Sequence, residues 1–199
     1  MKTLGALVTG VGGQGIILAS DIICEAAIIA GYDVKKTDTL GMAQRGGSVL
    51  SHVRIGTRVF SPLIREGEVD LLLAFEKLEA ARWVNYLHRE SVVIVNNYAQ
   101  PPLAVNLGNE KYPHDAEIKK LLGQRTTGFY FVEGNAEALK AGDSRALNTY
   151  MLGCASCFLP IETRIWENMI TQRVPARFRE INMTAFEAGR KEMNHVSRR

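Results

Sequence analysis

Cysteine is scarce in this chain, three in 199 residues, and the number is odd. That excludes the paired framework of a disulfide-stapled secreted fold and fits a reducing compartment. Nor is there a C-x2-C-x2-C run of the kind that holds an iron–sulfur cluster. Cys154 and Cys157 make a C-x-x-C, but they stand in "LNTYMLGCASCFL", where Leu147, Met151, Cys154 and Phe158 recur at helical spacing. No second cysteine pair completes a tetrahedral zinc site, so packed core cysteines are expected.

Excess charge is also lacking. The formal net charge is +3, and the basic residues are scattered apart from a terminal "GRKEMNHVSRR" that reads as a frayed tail. Nucleic acid is therefore not an expected partner. Long hydrophobic runs are missing too: Ile16 to Ala30 carries Asp21 and Glu25 and falls short of the roughly 20 residues a membrane span needs. Met1-Lys2-Thr3 leads straight into a short apolar run that ends in glycines, without a small-residue cleavage site. No signal peptide and no membrane span are expected, and the cytoplasm is the expected location. There is no internal repeat and no low-complexity segment.

What is present is a globular composition, 46% hydrophobic and 23% charged, over a length that suits one domain spanning 1–199. Thr3 to Thr9 reads as a buried strand, Gly15 to Ala30 as a helix closed by Gly31, and "YDVKKTDTL" as a second strand. From Ser48 onward Val49, Ser51, Val53 and Ile55 alternate with Leu50, His52 and Arg54, a strand with one apolar and one partly polar face. "RVFSPLI" continues or pairs with it, limited to an edge by Pro62. "VDLLLAF" and "SVVIVN" read as central strands flanking a helix "EKLEAARWVNYLHRE". Asn96 to Gly108 is a connection, followed by a short helix "DAEIKKLL", a strand "FYFVEG" and a helix "NAEALKA". From about 147 to 195 the pattern is helical only. The fold class is α/β, Rossmann-like, with a mostly parallel sheet flanked by helices and a helical C-terminal segment.

Two glycine segments draw attention. In "LVTGVGGQGIILAS", Gly10, Gly12 and Gly15 satisfy G-x-G-x-x-G between a strand and a helix, where glycines permit a tight turn and a helix start offers free N–H groups. A dinucleotide site also wants an acid at the end of the second strand. Asp38 is the one candidate, and the next glycine segment follows it where a helix belongs. Dinucleotide binding, an anion site and close packing all stay open. The second segment, "GMAQRGGSVLSHVRIG", sets the Arg45 guanidinium beside Gly46 and Gly47; it suits either a surface ion pair or a bidentate contact to a carboxylate or phosphate. His52 is a candidate acid–base group by type and a structural histidine at a subunit contact by position. Asn148 and Asn182 read as cap or interhelix hydrogen-bonders.

Taken in order, "GVGGQG", "QRGGSVLSHVRIG", "DLLLAFEKLEAAR", "LNTYMLG" and "NMTAFEAG" resemble the gamma-type domain of 2-oxoacid:ferredoxin oxidoreductases, from Gly10 to Gly189. "VNNYAQPPLAVNLGNEKYP" is similar to the indolepyruvate branch. The resemblance implies a non-catalytic subunit of an enzyme that oxidatively decarboxylates an aryl 2-oxoacid to an acyl-coenzyme A and reduces ferredoxin. Thiamine diphosphate, magnesium and 4Fe-4S clusters would then reside on a catalytic alpha-type partner subunit. This chain would carry no catalytic residue and no metal. Gly10, Gly12, Gly13, Gln14, Gly15 and Arg45 would face that partner or the phosphates of coenzyme A, and Gln44, Gly46, Gly47, Ser48, His52 and Arg54 would belong to the interface. A free-standing NAD(P)- or flavin-dependent oxidoreductase is the competing enzyme class. A purely structural module is the competing non-enzyme.

Overall fold

The computed structural model describes residues 3–40, 47–108 and 110–196. Chain order is β1 (Leu4–Val11), α1 (Ile16–Ile29), β2 (Asp33–Leu40), β3 (Ser48–Gly56), β4 (Val69–Ala74), α2 (Lys77–Arg82), β5 (Leu87–Asn96), α3 (Leu103–Asn106), α4 (Asp115–Gly123) and β6 (Gly128–Val132). Helices then take over: α5 (Gly134–Ala141), α6 (Leu147–Ser156), α7 (Thr163–Arg173) and α8 (Arg179–Val196). The six strands form one sheet in the order β2-β3-β1-β4-β5-β6. β1, β4, β5 and β6 are mutually parallel, whereas β3 is antiparallel to both β1 and β2. Five strands therefore point one way and β3 alone runs back. The chain between Leu40 and Ser48 is too short for the dozen or more residues that a parallel crossover requires.

Alternation along the strands feeds two cores. Ala6, Val8, Val49, Val53, Leu71 and Leu73 point to the side covered by α1, α6, α7 and α8. Leu7, Leu50, Leu72, Val93 and Val95 point to the side covered by α2 and α4. Helices on both faces explain why the strands read as near-continuous apolar runs. Helices α6 and α8 touch backbone to backbone. A Cβ on Gly153 would lie 2.1 Å from the Phe186 carbonyl, and one on Gly189 2.1 Å from the Tyr150 carbonyl. Thr149 Oγ1 adds a hydrogen bond across the same seam to Asn182 Oδ1 at 2.5 Å. The glycines that close "LNTYMLG" and "NMTAFEAG" are thus two halves of one helix contact.

Three expectations are corrected. The helix expected over residues 76–90 stops at Arg82; after a 3-10 turn at Val84–Tyr86, β5 has already begun at Leu87. Strand β5 is irregular here, Val69 facing Leu87 but Leu71 facing Val92, so Arg89 and Glu90 bulge into solvent and hide the strand's apolar signal. "RVFSPLI" forms no strand; it is a loop that buries Val59 and Ile64 while Phe60 is 81% exposed. Strand β1 runs past Thr9 to Val11, so Gly10 is a strand residue paired with Val49. Of the C-x-x-C pair expected in the core, Cys154 is buried but Cys157 is only half-buried; Cys24 is buried as well. Burial pushes the Cys24 thiol up to about 12 and the Cys154 thiol higher still.

Candidate active-site crest

From β1 the chain crosses to β2 on one side of the sheet, and β4 lies on the other. Helix α1 packs on one face and α2 on the opposite face. The gap between the carboxyl ends of β1 and β4 is therefore the topological switch point, where ligands of open α/β sheets are met. The first glycine segment lies there.

The turn from Val11 to Ile16 is stapled from within. Gln14 Oε1 accepts from the Val11 N–H at 2.8 Å, and Gln14 Nε2 donates to the Phe75 carbonyl at 3.4 Å. Asn96 Nδ2 donates to that same carbonyl at 3.2 Å, so the turn, the end of β4 and the end of β5 are drawn together. The Gln14 N–H goes to the Val11 carbonyl and the Gly12 N–H to the Gly47 carbonyl at 2.8 Å. Among the described residues, the N–H groups of Gly13, Gly15 and Ile16 have no backbone acceptor. Gly15 has φ of 76°, and a Cβ there would come within 2.1 Å of Asn148 Nδ2. The left-handed backbone favours glycine, and a larger residue would also displace the Asn148 amide.

Beside the turn lie two buried acids that the sequence reading passed over as ordinary helix residues. Glu76 is 1% and Glu79 3% exposed. Glu76 caps α2 by accepting from the Glu79 N–H at 2.9 Å; its other oxygen accepts from the Gln100 N–H at 2.9 Å and from the Tyr112 hydroxyl. Glu79 accepts from the Ser48 hydroxyl at 2.5 Å and the Thr9 hydroxyl at 3.4 Å, with Arg82 at 3.2 Å. Burial holds the Glu79 carboxyl above its usual range, against the hydrogen bond from Ser48 and the charge of Arg82. Burial and the Glu76 contact likewise push the Tyr112 hydroxyl up. An acid straight after an apolar strand, with another three residues on, is the pattern that marks such a cap.

The expected site residues fall into three groups. Gly10, Gly12, Gly13, Gln14, Gly15, Gly47 and Ser48 converge at the crest. Gln44, Arg45 and Gly46 lie outside the described residues. His52 and Arg54 do not join the crest. Arg54 faces Gly5 near the other end of β3, about 20 Å along the strand from Ser48, and donates to the Leu63 carbonyl at 3.3 Å. His52 is buried inside this chain; its Nδ1 accepts from the Ile64 N–H at 3.3 Å, and burial lowers its pKa. Asn182 is an interhelix hydrogen-bonder.

Asp38 does not meet the turn. β3 lies between β2 and β1, which sets Asp38 about two strand spacings, roughly 10 Å, from β1. Its carboxylate is already taken by the Ser51 hydroxyl at 2.6 Å and Lys36 at 2.9 Å. Among the described residues, the ribose-binding half of a dinucleotide fingerprint is thus absent from this crest. Among the described residues no three His, Cys, Asp or Glu side chains converge to hold a metal, and none of their helices is long and apolar enough to cross a membrane.

The family model described as pyruvate ferredoxin/flavodoxin oxidoreductase matches residues 5–192. The indolepyruvate oxidoreductase subunit IorB of Pyrococcus horikoshii is 35% identical over 192 residues, 95% of each chain. The subunit of the same name from Methanothermobacter thermautotrophicus is 40% identical over 184 residues, 92% of this chain and 93% of that one. Among solved structures, the gamma subunit of a keto/oxoacid ferredoxin oxidoreductase from Geobacter sulfurreducens superposes with a TM-score of 0.71 at 24% identity, covering 96% of this chain and 99% of that one. At that identity the likeness speaks for the fold.

Proposed function

Because the chain belongs to the pyruvate ferredoxin/flavodoxin oxidoreductase family, we propose that it is the non-catalytic subunit of a 2-oxoacid:ferredoxin oxidoreductase of the indolepyruvate type. The observation that carries this is the 35–40% identity to IorB subunits along nearly the whole chain. In the assembled enzyme an aryl 2-oxoacid loses carbon dioxide, its acyl carbon passes to the thiol of coenzyme A, and the released electrons reduce ferredoxin. That chemistry needs thiamine diphosphate, magnesium and iron–sulfur clusters, which we assign to a catalytic alpha-type partner in the cytoplasm. Among the described residues, the acids, histidines and cysteines form no cluster that would hold a metal. Cys24 and Cys154 are buried thiols whose raised pKa disfavours the thiolate a cluster binds.

The chain's own part is the crest. Gly12, Gly13, Gln14, Gly15, Gly47 and Ser48, together with Gln44, Arg45 and Gly46, would form the surface turned to the partner, with the N–H groups at the start of α1 available to the phosphates of coenzyme A. The competing reading, a free-standing nicotinamide or flavin enzyme, lacks the acid it needs, since Asp38 is occupied and β3 stands between it and the glycine turn.

Reconstitution tests the proposal. The isolated chain should reduce no ferredoxin with any 2-oxoacid. Mixed with its catalytic partner it should support coenzyme A-dependent reduction, faster with aryl pyruvates than with pyruvate or 2-oxoglutarate. Full activity of the partner without this chain would contradict it.

A further inference from the structure

Glu76 and Glu79 are costly side chains to bury, and what they hold is Ser48 on one side and Gln100 and Tyr112 on the other. A buried carboxylate is tolerated only where hydrogen bonds or counter-charges satisfy it. Both stand in the first turn of α2, at Glu76 and Glu79, on opposite tasks. Glu79 reaches the Ser48 hydroxyl at 2.5 Å, one residue after Gly47, whose carbonyl receives the Gly12 N–H at 2.8 Å. It thereby fixes the end of the second glycine segment against the first. Glu76 reaches the Gln100 N–H and the Tyr112 hydroxyl, the two ends of the stretch between β5 and α4. Lys77, next to Glu76 in that turn, closes the same side by pairing with Asp115 at 2.6 Å.

We infer that Glu76 and Glu79 are positioning residues: the first turn of α2 is a clamp that holds Ser48, Gln100 and Tyr112 beside the glycine turn and so pre-forms the surface met by the catalytic subunit. This rests on the functional reading above. The physical reason is that association loses free energy to the ordering of interface loops, and loops held before the encounter lose less. The carboxylates touch no reacting atom; they act through Ser48, Gly47, Gln100 and Tyr112. Ser48 is the natural second probe, because its hydroxyl is small, lies at the end of β3 and links Glu79 to the backbone that Gly12 binds.

The test is the affinity of the full chain for the large subunit with which it purifies, measured for native and variant chains alongside their thermal unfolding. Glu79→Ala should weaken association by about tenfold or more while leaving a cooperative unfolding transition. Glu79→Gln, whose amide oxygen still accepts from Ser48, should recover most of the affinity. Ser48→Ala should weaken association, and should weaken it no further when added to Glu79→Ala, because the two groups act as one contact. A folded Glu79→Ala chain that binds within about twofold of native would overturn the inference and leave the subunit reading intact. Should Glu79→Ala fail to fold, an unchanged affinity for Ser48→Ala overturns it equally. A native chain that does not bind the large subunit at all strikes the functional reading itself, and the clamp with it.

Discussion

Gln14 shows what single residues contribute to this crest. Its position in a glycine-rich turn suggests a donor for a ligand, yet both ends of its amide are used to close the turn on Val11 and Phe75. Glycines in a turn are visible in a sequence, whereas the direction of one amide depends on the strand beside it. The same holds for His52, whose shared face with Leu50 and Arg54 was legible but whose cover, the loop bearing Ile64, was not. Burial lowers the pKa of His52 in the fold, while in the unfolded chain it binds a proton near pH 6.5. Between the lowered value and about 6.5 the unfolded state binds more protons, so stability rises with pH there and is lost as pH falls. Glu79, raised by burial, acts in the opposite sense above its ordinary carboxylate range, its contribution fading as pH rises. Urea unfolding from about pH 5 to 8 should therefore be compared between native chain and His52→Gln. The native chain should lose more stability on acidification, and equal slopes would remove His52 from the account.

Among the elements, apolar runs made β1, β4 and the second half of β5 readable, and the helical pattern from about 147 to 195 covered α6 and α8, with Gly153 and Gly189 ending two of the motifs. Why those glycines are needed became clear only with the seam, where each stands against a backbone carbonyl of the other helix. A methyl group there cannot be absorbed by a side-chain rotation; the helices must separate. Gly153→Ala or Gly189→Ala should each destabilise the chain by about 1–3 kcal/mol or more, read as a lower midpoint in chemical denaturation. A change below about 0.5 kcal/mol would mean the helices are not in such close contact. The start of β5 was unreadable for a physical reason: its irregular pairing turns Arg89 and Glu90 outward, so the chain there looks like the end of a charged helix. "RVFSPLI" was misleading the other way, since its apolar residues split between burial at Val59 and Ile64 and exposure at Phe60 and Leu63.

For the whole molecule, alternating strand and helix sufficed to read an α/β fold with helices on both faces. What sequence order alone does not dictate is that β3 folds back between β1 and β2. That single reversal removes Asp38 from the glycine turn and brings Ser48 to it, changing a dinucleotide fingerprint into a crest held by Glu79. The crest's two glycine segments were legible as unusual; the acids behind them were not, because a helix cap and a buried clamp look alike in a sequence. The central claim is that this chain completes an enzyme whose chemistry resides on another subunit. It is tested most directly by purifying the tagged chain from its native host and determining the mass, iron and thiamine content of what accompanies it. The account predicts a large partner that carries iron–sulfur clusters and thiamine diphosphate in fixed proportion to this chain. A lone chain that carries a bound nicotinamide or flavin nucleotide would contradict it.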